Sequence, residues 1–409
     1  MICSALYFIL NRPDLSRIDN KADTMSIMVK KLYKNGSFLY KMNLIAGRNG
    51  LENLVKWVHI IEDDNATSFL HGNELVFTAG IMNQNEHWLL HFVQKLYKAE
   101  TSAFVINVGP HIEEIPDEVI DFCNEVNLPL FTIPWETRMV DMTRDFCHRI
   151  MNNEHMQSNT ATTIKNILFG VGDMETQILQ LERFGYQRDS RLCFVSVMAQ
   201  DKSSQVDENR DALIKIAEIA AKRISELFIM FSYKDYQILV LVNYTDADIK
   251  MFVDGFLNLA AQKARGWTFH MGISSNQMGV KNQKENFEKA MSAMKMAKKR
   301  KELYCLYDKL GIFKVLYAVS DKSVLREYYK NVVGKLETYD RENGTTLTNM
   351  LLAYLENNGS LQMVSEKQYV HRNTVTNQLK KIEEITGYNP FNLDDKVKLS
   401  MAFYIKEIL

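Results

Sequence analysis

Cysteine is scarce in this chain of 409 residues: Cys3, Cys123, Cys147, Cys193 and Cys305 are scattered, with no CxxC pair and no even framework. That scarcity excludes a disulfide-stapled scaffold and a cysteine-built zinc module. It points to a reduced, cytoplasmic protein whose thiols serve as small core residues. Long hydrophobic runs are missing too. No stretch reaches the roughly 18 apolar residues a bilayer span needs, so no membrane partner is expected. The opening MICSALYFILNRPDLSR is partly apolar but has no basic leading region and no cleavage site, which argues against a secretory signal. Nor does charge of one sign prevail: the net charge is −1, which excludes a general nucleic-acid binder coated in positive charge. GxSxG, P-loop and GxGxxG motifs are all absent. No catalytic residue, metal or cofactor is assigned, and the chain is not expected to be an enzyme.

What is present is most telling near the end. In YVHRNTVTNQLKKIEEITGYNP, Val375, Leu379, Ile382 and Ile385 recur at helical spacing and form one apolar stripe. Asn373, Thr376, Asn377 and Lys380 fall opposite, and Gly387 with Pro390 stops the helix. A merely solvated face would carry Glu and Lys, because Asn and Thr are weaker helix formers. Short amides and hydroxyls suit base edges instead, Asn pairing with adenine and Thr meeting an edge or a thymine methyl. Capping produces the same residue types, so the neighbours decide. Thr348 to Glu356 reads as a helix, Asn357 to Ser360 as a break, and Leu361 to Gln368 as a short helix turning Leu361 and Val364 inward. Only Tyr369 and Val370 then separate it from the polar-faced helix. Two helices joined by a tight turn make a helix-turn-helix. Asp394 to Leu409, with Val397, Met401, Tyr404, Ile405 and Ile408 on one side, is expected to close the core beneath. Lys367, Arg372, Lys380 and Lys381 against the single acid Glu366 form a local basic patch suited to phosphates.

The run His371-Arg372-Asn373-Thr374-Val375, the segment IEEITG and the later KLSMAFYI resemble the C-terminal helix-turn-helix domain of the PucR family of bacterial transcription regulators. That family is named for purine catabolism, and the sugar-diacid regulator CdaR is a relative. The resemblance implies a DNA-binding regulator, often an activator, responding to a small metabolite in purine or related nitrogen and carbon catabolism. Lys367, His371, Arg372, Asn373, Thr374, Thr376, Asn377, Gln378, Lys380 and Lys381 are the expected DNA-binding residues. Family members usually carry Ala and Leu where this chain has Ser365 and Gln368, and a Tyr-Arg pair where it has Asn377 and Gln378. The operator is therefore expected to differ from those of relatives.

Upstream, WVHIIE (57–62), ELVFTA (74–79), AFVINV (103–108) and PLFTIP (129–134) read as strands. Helical patterns at Glu86 to Lys98 and Pro116 to Val126 separate them. The alternation implies an α/β layer with a mostly parallel sheet. LIAGRNGLENLVKWVHIIED, HGNELVFTAG and IPDEVIDFCNEVNLPLFTIP resemble the PucR N-terminal domain, thought to sense an effector or contact partners. His87 and His91 have the spacing of a two-histidine metal face, but Trp88-Leu89-Leu90 between them fits the rim of an amphipathic helix. Asp63-Asp64 beside Asn65 reads as a turn and cap rather than an acid/base pair. Glu74 and Thr78 are the candidate effector contacts, at the end of a buried strand where α/β sheets place ligands. MNNEHMQSNTATT (151–163) reads as a linker or an exposed helix.

The middle segment follows the order β-α-β-β-α-β: Arg191 to Met198, a helix from Asp211 to Ser225, LFIMF and YQILVLVNY about a turn at Tyr233 to Asp235, a helix from Asp246 to Ala264, and Thr268 to Ser274. It resembles the GGDEF-like domain of PucR and CdaR regulators. A working cyclase needs glycines at that hairpin and acids nearby for metal. Tyr233-Lys234-Asp235-Tyr236 has no glycine, and the first strand runs into Met198-Ala199-Gln200 without the metal-binding Asp. Lys295, Lys298, Lys299, Arg300 and Lys301 finish a helix, where cations complement its dipole.

The expected fold is thus multidomain: an α/β N-terminal domain, a ferredoxin-like α+β middle domain of degenerate GGDEF-like type, and an all-α helix-turn-helix domain. The boundaries read as 1–24 an extension or mis-assigned start, 25–150 the sensory domain, 151–185 a helical linker, 186–310 the middle domain, 311–344 a helical connector and 345–409 the DNA-binding domain. The expected partners are double-stranded DNA, a second copy in a homodimer or higher homo-oligomer, and an unidentified small-molecule effector. The alternative is a signalling protein that binds a nucleotide through the cyclase-like domain.

Overall fold

A computed structural model describes residues 26–82, 87–200, 206–264, 267–281 and 283–409. The expectation for residues 1–24 lies outside them, as does Glu86 at the expected start of a helix. The chain divides into two compact units, one running to Phe269 and including Ser274–Glu288, the other comprising His270–Ile273 and Lys289–Leu409. Mixed α/β sheets build the N-terminal and middle regions, and the C-terminal region is all helical. Among the described residues no helix is long and apolar enough to cross a membrane.

The first unit opens with β1 (Ile27–Met28), α1 (Val29–Tyr40), β2 (Asn43–Ala46), β3 (Leu54–Val55), β4 (Trp57–Ile60) and β5 (Glu74–Thr78). It continues through α2 (Trp88–Lys98), β6 (Ala103–Val108), α3 (Asp117–Val126), β7 (Leu130–Pro134), α4 (Met139–Phe169) and α5 (Met174–Arg183). Strands β2-β7-β6-β5-β4 form one sheet. Strands β4 to β7 pair in parallel, and β2 runs antiparallel to β7. Both faces of such a sheet are buried, which is why β5 and β6 read as continuous apolar runs rather than alternating ones. Leu32, Phe77, Val105, Phe131 and Phe146 pack on one face; Phe92, Leu96, Phe104, Ile106 and Val119 pack on the other. The glycine of LIAGRNG at position 47 is required by its backbone. It adopts φ +69°, and a Cβ there would come within 2.0 Å of the Leu128 carbonyl oxygen.

The polar stretch 151–163 is helical and exposed along one side only. It lies inside the unbroken 31-residue α4, and Asn153, Gln157, Thr160 and Thr163 are buried. The two threonine hydroxyls are satisfied within the helix: Thr160 Oγ1 donates to the Gln157 carbonyl (2.9 Å), and Thr163 Oγ1 donates to that of Asn159 (2.8 Å). Asn153 Nδ2 reaches the Ser26 carbonyl (3.3 Å). Hydropathy cannot distinguish such a face from a wet one.

Strands β8 (Arg191–Gln200), β9 (Phe228–Tyr233) and β10 (Tyr236–Val242) come next, with α6 (Val206–Lys222) between the first two and α7 (Asp246–Lys263) after the third. Strand β10 pairs antiparallel with both β8 and β9. A reciprocal Thr245/Asp248 capping box starts α7. Helix α6 holds a fully buried ion pair, Lys222 Nζ to Glu218 Oε1 at 2.6 Å. The same carboxylate oxygen accepts from the Ser26 amide (3.1 Å) and hydroxyl (2.9 Å), and Lys222 also donates to the Ser26 carbonyl. The chain leading into the N-terminal domain is thereby tied to α6.

The second unit contains β11 (Thr268–Ile273) from His270 on, in parallel with β13 (Tyr304–Leu306); β12 (Gln277–Met278), of the first unit, pairs with β8. Its helices are α8 (Gln283–Arg300) from Lys289 on, α9 (Phe313–Ala318), α10 (Lys322–Val332), α11 (Gly334–Asn343), α12 (Leu347–Glu356), α13 (Leu361–Gln368), α14 (Arg372–Thr386) and α15 (Leu393–Ile408). Residues expected to be a connector are part of a core here: Val332, Val333 and Leu336 cluster with Leu351, Tyr354, Val364, Val375, Leu379, Ile382, Leu399 and Ala402. One expected face is corrected. Helix α15 does pack Met401, Ile405 and Ile408 on a core, but it also turns Leu399 and Ala402 inward and leaves Val397 and Tyr404 exposed. It is apolar on two sides, so periodicity cannot choose between them; the buried side carries small Ala402, which admits close packing.

Asp340 organises the start of α12. Its carboxylate accepts from Thr345 Oγ1 (2.6 Å), the Leu347 amide (2.8 Å) and the Thr348 amide (2.8 Å). Burial pushes its pKa up, but these hydrogen bonds outweigh that and hold it below the ordinary value. A depressed folded pKa means the contribution is complete above the unfolded value near 3.9 and is lost as pH falls through the folded one. Asp340→Ala is expected to cost about 1–2 kcal/mol at neutral pH and to blunt acid sensitivity near pH 4, read by circular-dichroism melts at both pH values. Breaking the α6 ion pair should cost more. Lys222→Met, which strands a buried carboxylate, is expected to lose about 3–5 kcal/mol, seen as a lower urea midpoint.

Candidate nucleic-acid interface

Helix α13 begins where Ser360 Oγ accepts from the Met363 amide (3.3 Å) and buries Val364 beneath it. It ends at Tyr369, whose φ is +55°. After Val370, His371 caps α14 through Nδ1, which accepts from the Asn373 amide (3.2 Å). Gly387, at φ +79°, closes α14 with its amide on the Glu383 carbonyl (2.8 Å). Val375, Leu379 and Ile382 have no exposed surface, which fixes the rotation of α14 about its axis. The opposite face carries Asn373, Asn377 and Lys380, all exposed. Their i, i+4, i+7 spacing puts them on one stripe, with about 6 Å between the two asparagines at 1.5 Å per residue, close to two base-pair steps.

The ten expected DNA-binding residues separate by environment. Lys367, His371, Arg372, Thr374 and Lys381 are exposed beside the stripe. Thr376 is half-buried and its hydroxyl donates to the Arg372 carbonyl (3.1 Å). Gln378 is half-buried on a flank, its Oε1 enclosed by protein. Lys381 donates to Glu384 Oε2 (2.9 Å), a hydrogen bond that raises its pKa. Among the described residues no carboxylate pairs with Lys367, Arg372 or Lys380. Those three cations are therefore the ones open to an anionic partner.

The second basic cluster is partly committed elsewhere. Arg300 Nε bonds Glu407 Oε1 (2.8 Å) and stacks over Phe313, and Lys299 Nζ donates to the Lys406 carbonyl (3.3 Å) near the C-terminal end of α15.

In the N-terminal domain the structure does not bring Glu74 and Thr78 together. They begin and end β5, and only Thr78 is at its carboxyl end. Glu74 Oε1 accepts from the His71 amide (2.8 Å). Thr78 Oγ1 donates to Glu62 (3.0 Å), whose carboxylate also takes the amides of Ala79 (2.8 Å) and Ile81 (3.0 Å). Sequence reasoning missed Glu62 because it lies sixteen positions from Thr78. A groove of about 480 Å³ opens instead between β4 and α4, lined by Trp57, Ile60, Val140, Arg144 and Cys147 among others. His87 and His91 point at separate carboxylates, Glu118 (3.3 Å) and Asp64 (3.0 Å). Asp63 accepts from the Asn65 amide (2.9 Å), the cap expected of it. At the β9–β10 hairpin, Tyr233 stacks on Phe169 (5.4 Å) and meets the edge of Phe287 (5.4 Å).

Comparison with known proteins places these features. Residues 31–150 match the purine catabolism regulatory protein-like family, PucR, and residues 347–405 match the PucR C-terminal helix-turn-helix domain. Three relatives from Bacillus subtilis (strain 168) are similar over part of the chain. The Purine catabolism regulatory protein is 30% identical over 29% of this chain and 22% of its own length. The Proline-responsive transcriptional activator PutR is 27% identical over 29% of each. The DNA-binding transcriptional activator AdeR is 24% identical over 30% of each. The matched stretches thus span less than a third of each relative. With its N-terminal domain and its helix-turn-helix both matched, and with the second folded as a capped α13–α14 pair, this chain belongs to the PucR family of transcription regulators.

Proposed function

We propose that this protein binds double-stranded DNA sequence-specifically through α14 and activates transcription in response to a small metabolite, in the cytoplasm. The observation that carries the reading is the exposed Asn373/Asn377/Lys380 stripe on a helix whose other face is locked in a core. Asn373 and Asn377 would read base edges, while Lys367, Arg372 and Lys380 would take phosphates that set register and orientation. His371 and Thr374 would serve the helix start; Thr376, Gln378 and Lys381, each wholly or partly engaged within the domain, would contribute less. A homodimer would set two α14 helices in successive major grooves about 34 Å apart, or a multiple of that.

Two of the relatives are named as activators, and another is named for purine catabolism. Those names support activation and a nitrogen-containing effector. We assign effector sensing to the N-terminal domain, where the β4–α4 groove has the size of a small-molecule site. Thr78 is a weaker candidate, because Glu62 already occupies its hydroxyl. The middle domain, with its β8-α6-β9-β10-α7-β11 order, is read as a ferredoxin-like, GGDEF-like scaffold that has lost its chemistry. The nucleotide-binding alternative is disfavoured by Phe169 and Phe287, which fill the space beside a hairpin without glycine.

Genome-wide DNA selection with the wild type should return repeated half-sites that vanish in the Asn373→Ala/Asn377→Ala double variant. Enrichment surviving in the double variant would sink the assignment to this face. Asn377→Ala alone is expected to relax specificity at one base position by about 1–3 kcal/mol. Lys380→Ala should weaken binding to all sequences and reduce the salt slope by about 1, both measured by salt-dependent titration of duplexes.

A further inference from the structure

We propose that Tyr369 is an additional DNA-contacting residue, its phenol hydroxyl donating a hydrogen bond to a backbone phosphate beside the groove that α14 occupies. The inference rests on the DNA-binding reading above and adds a residue that neither the helical stripe nor the basic patch includes. Tyr369 is 96% exposed, the most exposed large side chain of its kind among the described residues. It sits in the turn between α13 and α14 with exposed Lys367 and Gln368 on one side and His371 and Arg372 on the other. Lys367 and Arg372 have no carboxylate partner among the described residues, so the turn presents unpaired positive charge around a phenol. The Tyr369 amide donates to the Ser365 carbonyl, while its side chain has no hydrogen-bond or ring partner among them.

The backbone makes an incidental tyrosine a poor account of this position. Residue 369 adopts φ +55°, a left-handed conformation that disfavours bulky side chains and is natural to Gly or Asn. The same conformation ends α3 at Asn127, α4 at Gly170, α11 at Gly344 and α14 at Gly387, and α1 at Lys41. Only α13 ends this way on an aromatic residue among the described helices. A side chain that strains its own backbone and buries none of its ring contributes nothing to the fold that glycine would not supply better. Its chemistry suits a partner outside the chain. A phenol is a donor on a stiff arm with few rotatable bonds, and tyrosine is among the side chains that hydrogen-bond phosphate oxygens. Hydrogen bonds to a charged acceptor are the stronger kind.

The test uses full-length protein and a random-sequence DNA duplex, because a phosphate contact is independent of sequence and the operator need not be known. Tyr369→Phe removes only the hydroxyl and should weaken duplex binding about tenfold. The slope of log affinity against log salt should stay unchanged, since no charge is lost. Tyr369→Gly should weaken binding at least as much while raising the melting midpoint, a split between stability and affinity that a structural role for the ring would not give. Wild-type affinity in Tyr369→Phe, with wild type binding normally, would overturn this proposal alone. Failure of the wild type to bind any duplex would overturn the DNA-binding reading and this proposal with it.

Discussion

The interface depends on one packing constraint, the complete burial of Val375, Leu379 and Ile382 against the core of the helical region. Each buried aliphatic side chain is worth about 1.5–3 kcal/mol relative to exposure, so rotating α14 to bring another face inward would forfeit several such contributions at once. The rotation is therefore set by apolar packing, and the outward polar stripe is a by-product of it. Asn373, Asn377 and Lys380 face outward because they lie opposite the buried stripe. Weak helix formers on that stripe are tolerated because the buried stripe, the His371 cap and the Gly387 stop already hold the helix.

The same division of labour recurs at the other end of the chain. The N-terminal sheet is held by apolar faces on both sides, yet Ser26, just before β1, is fixed by polar groups alone: Glu218, Lys222 and Asn153. A buried ion pair is seldom the cheapest way to stabilise a core, because desolvation opposes its attraction. Here it meets both the amide and the carbonyl of one residue, a directional demand that apolar side chains cannot satisfy. The pair thus fixes where the chain enters the domain, and α4 completes the arrangement through Asn153, one of four polar residues it buries.

How much of this was legible in the sequence depended on the kind of force involved. Strands β4 to β7, the α13–α14 pair and the stop at Gly387 were readable because periodicity, capping and glycine chemistry act locally. The buried character of residues 151–163 was not, since Asn153 and Thr163 differ from solvated residues only through partners such as Ser26 and Gln180. Helix α15 exposed a second limit: with apolar residues on two sides, its orientation is decided by its neighbours. Thr376 showed a third, for a hydroxyl on the expected face can be drawn back to its own helix, here to the Arg372 carbonyl. Tyr369 was invisible for a simpler reason, because its exposure and left-handed backbone are properties of the turn as built.

The lost freedom of α15 bears on how a signal can reach α14. Helix α15 contributes Leu399 and Ala402 to the core that locks α14, and near its far end it is gripped by Arg300 and Lys299 of α8. Ile405 of α15 shares a second cluster with Ala293, Met296 and Ala297 of α8. A displacement of this part of α8 must then either break the Arg300–Glu407 pair and empty that cluster, or carry α15 with it. Exposed ion pairs break at little cost, but opening an apolar cluster does not. Carrying α15 along is therefore the cheaper response, and α15 shares its core with α14. Of the cations that end α8, which from sequence complement its dipole, Lys299 and Arg300 also tie that helix to α15.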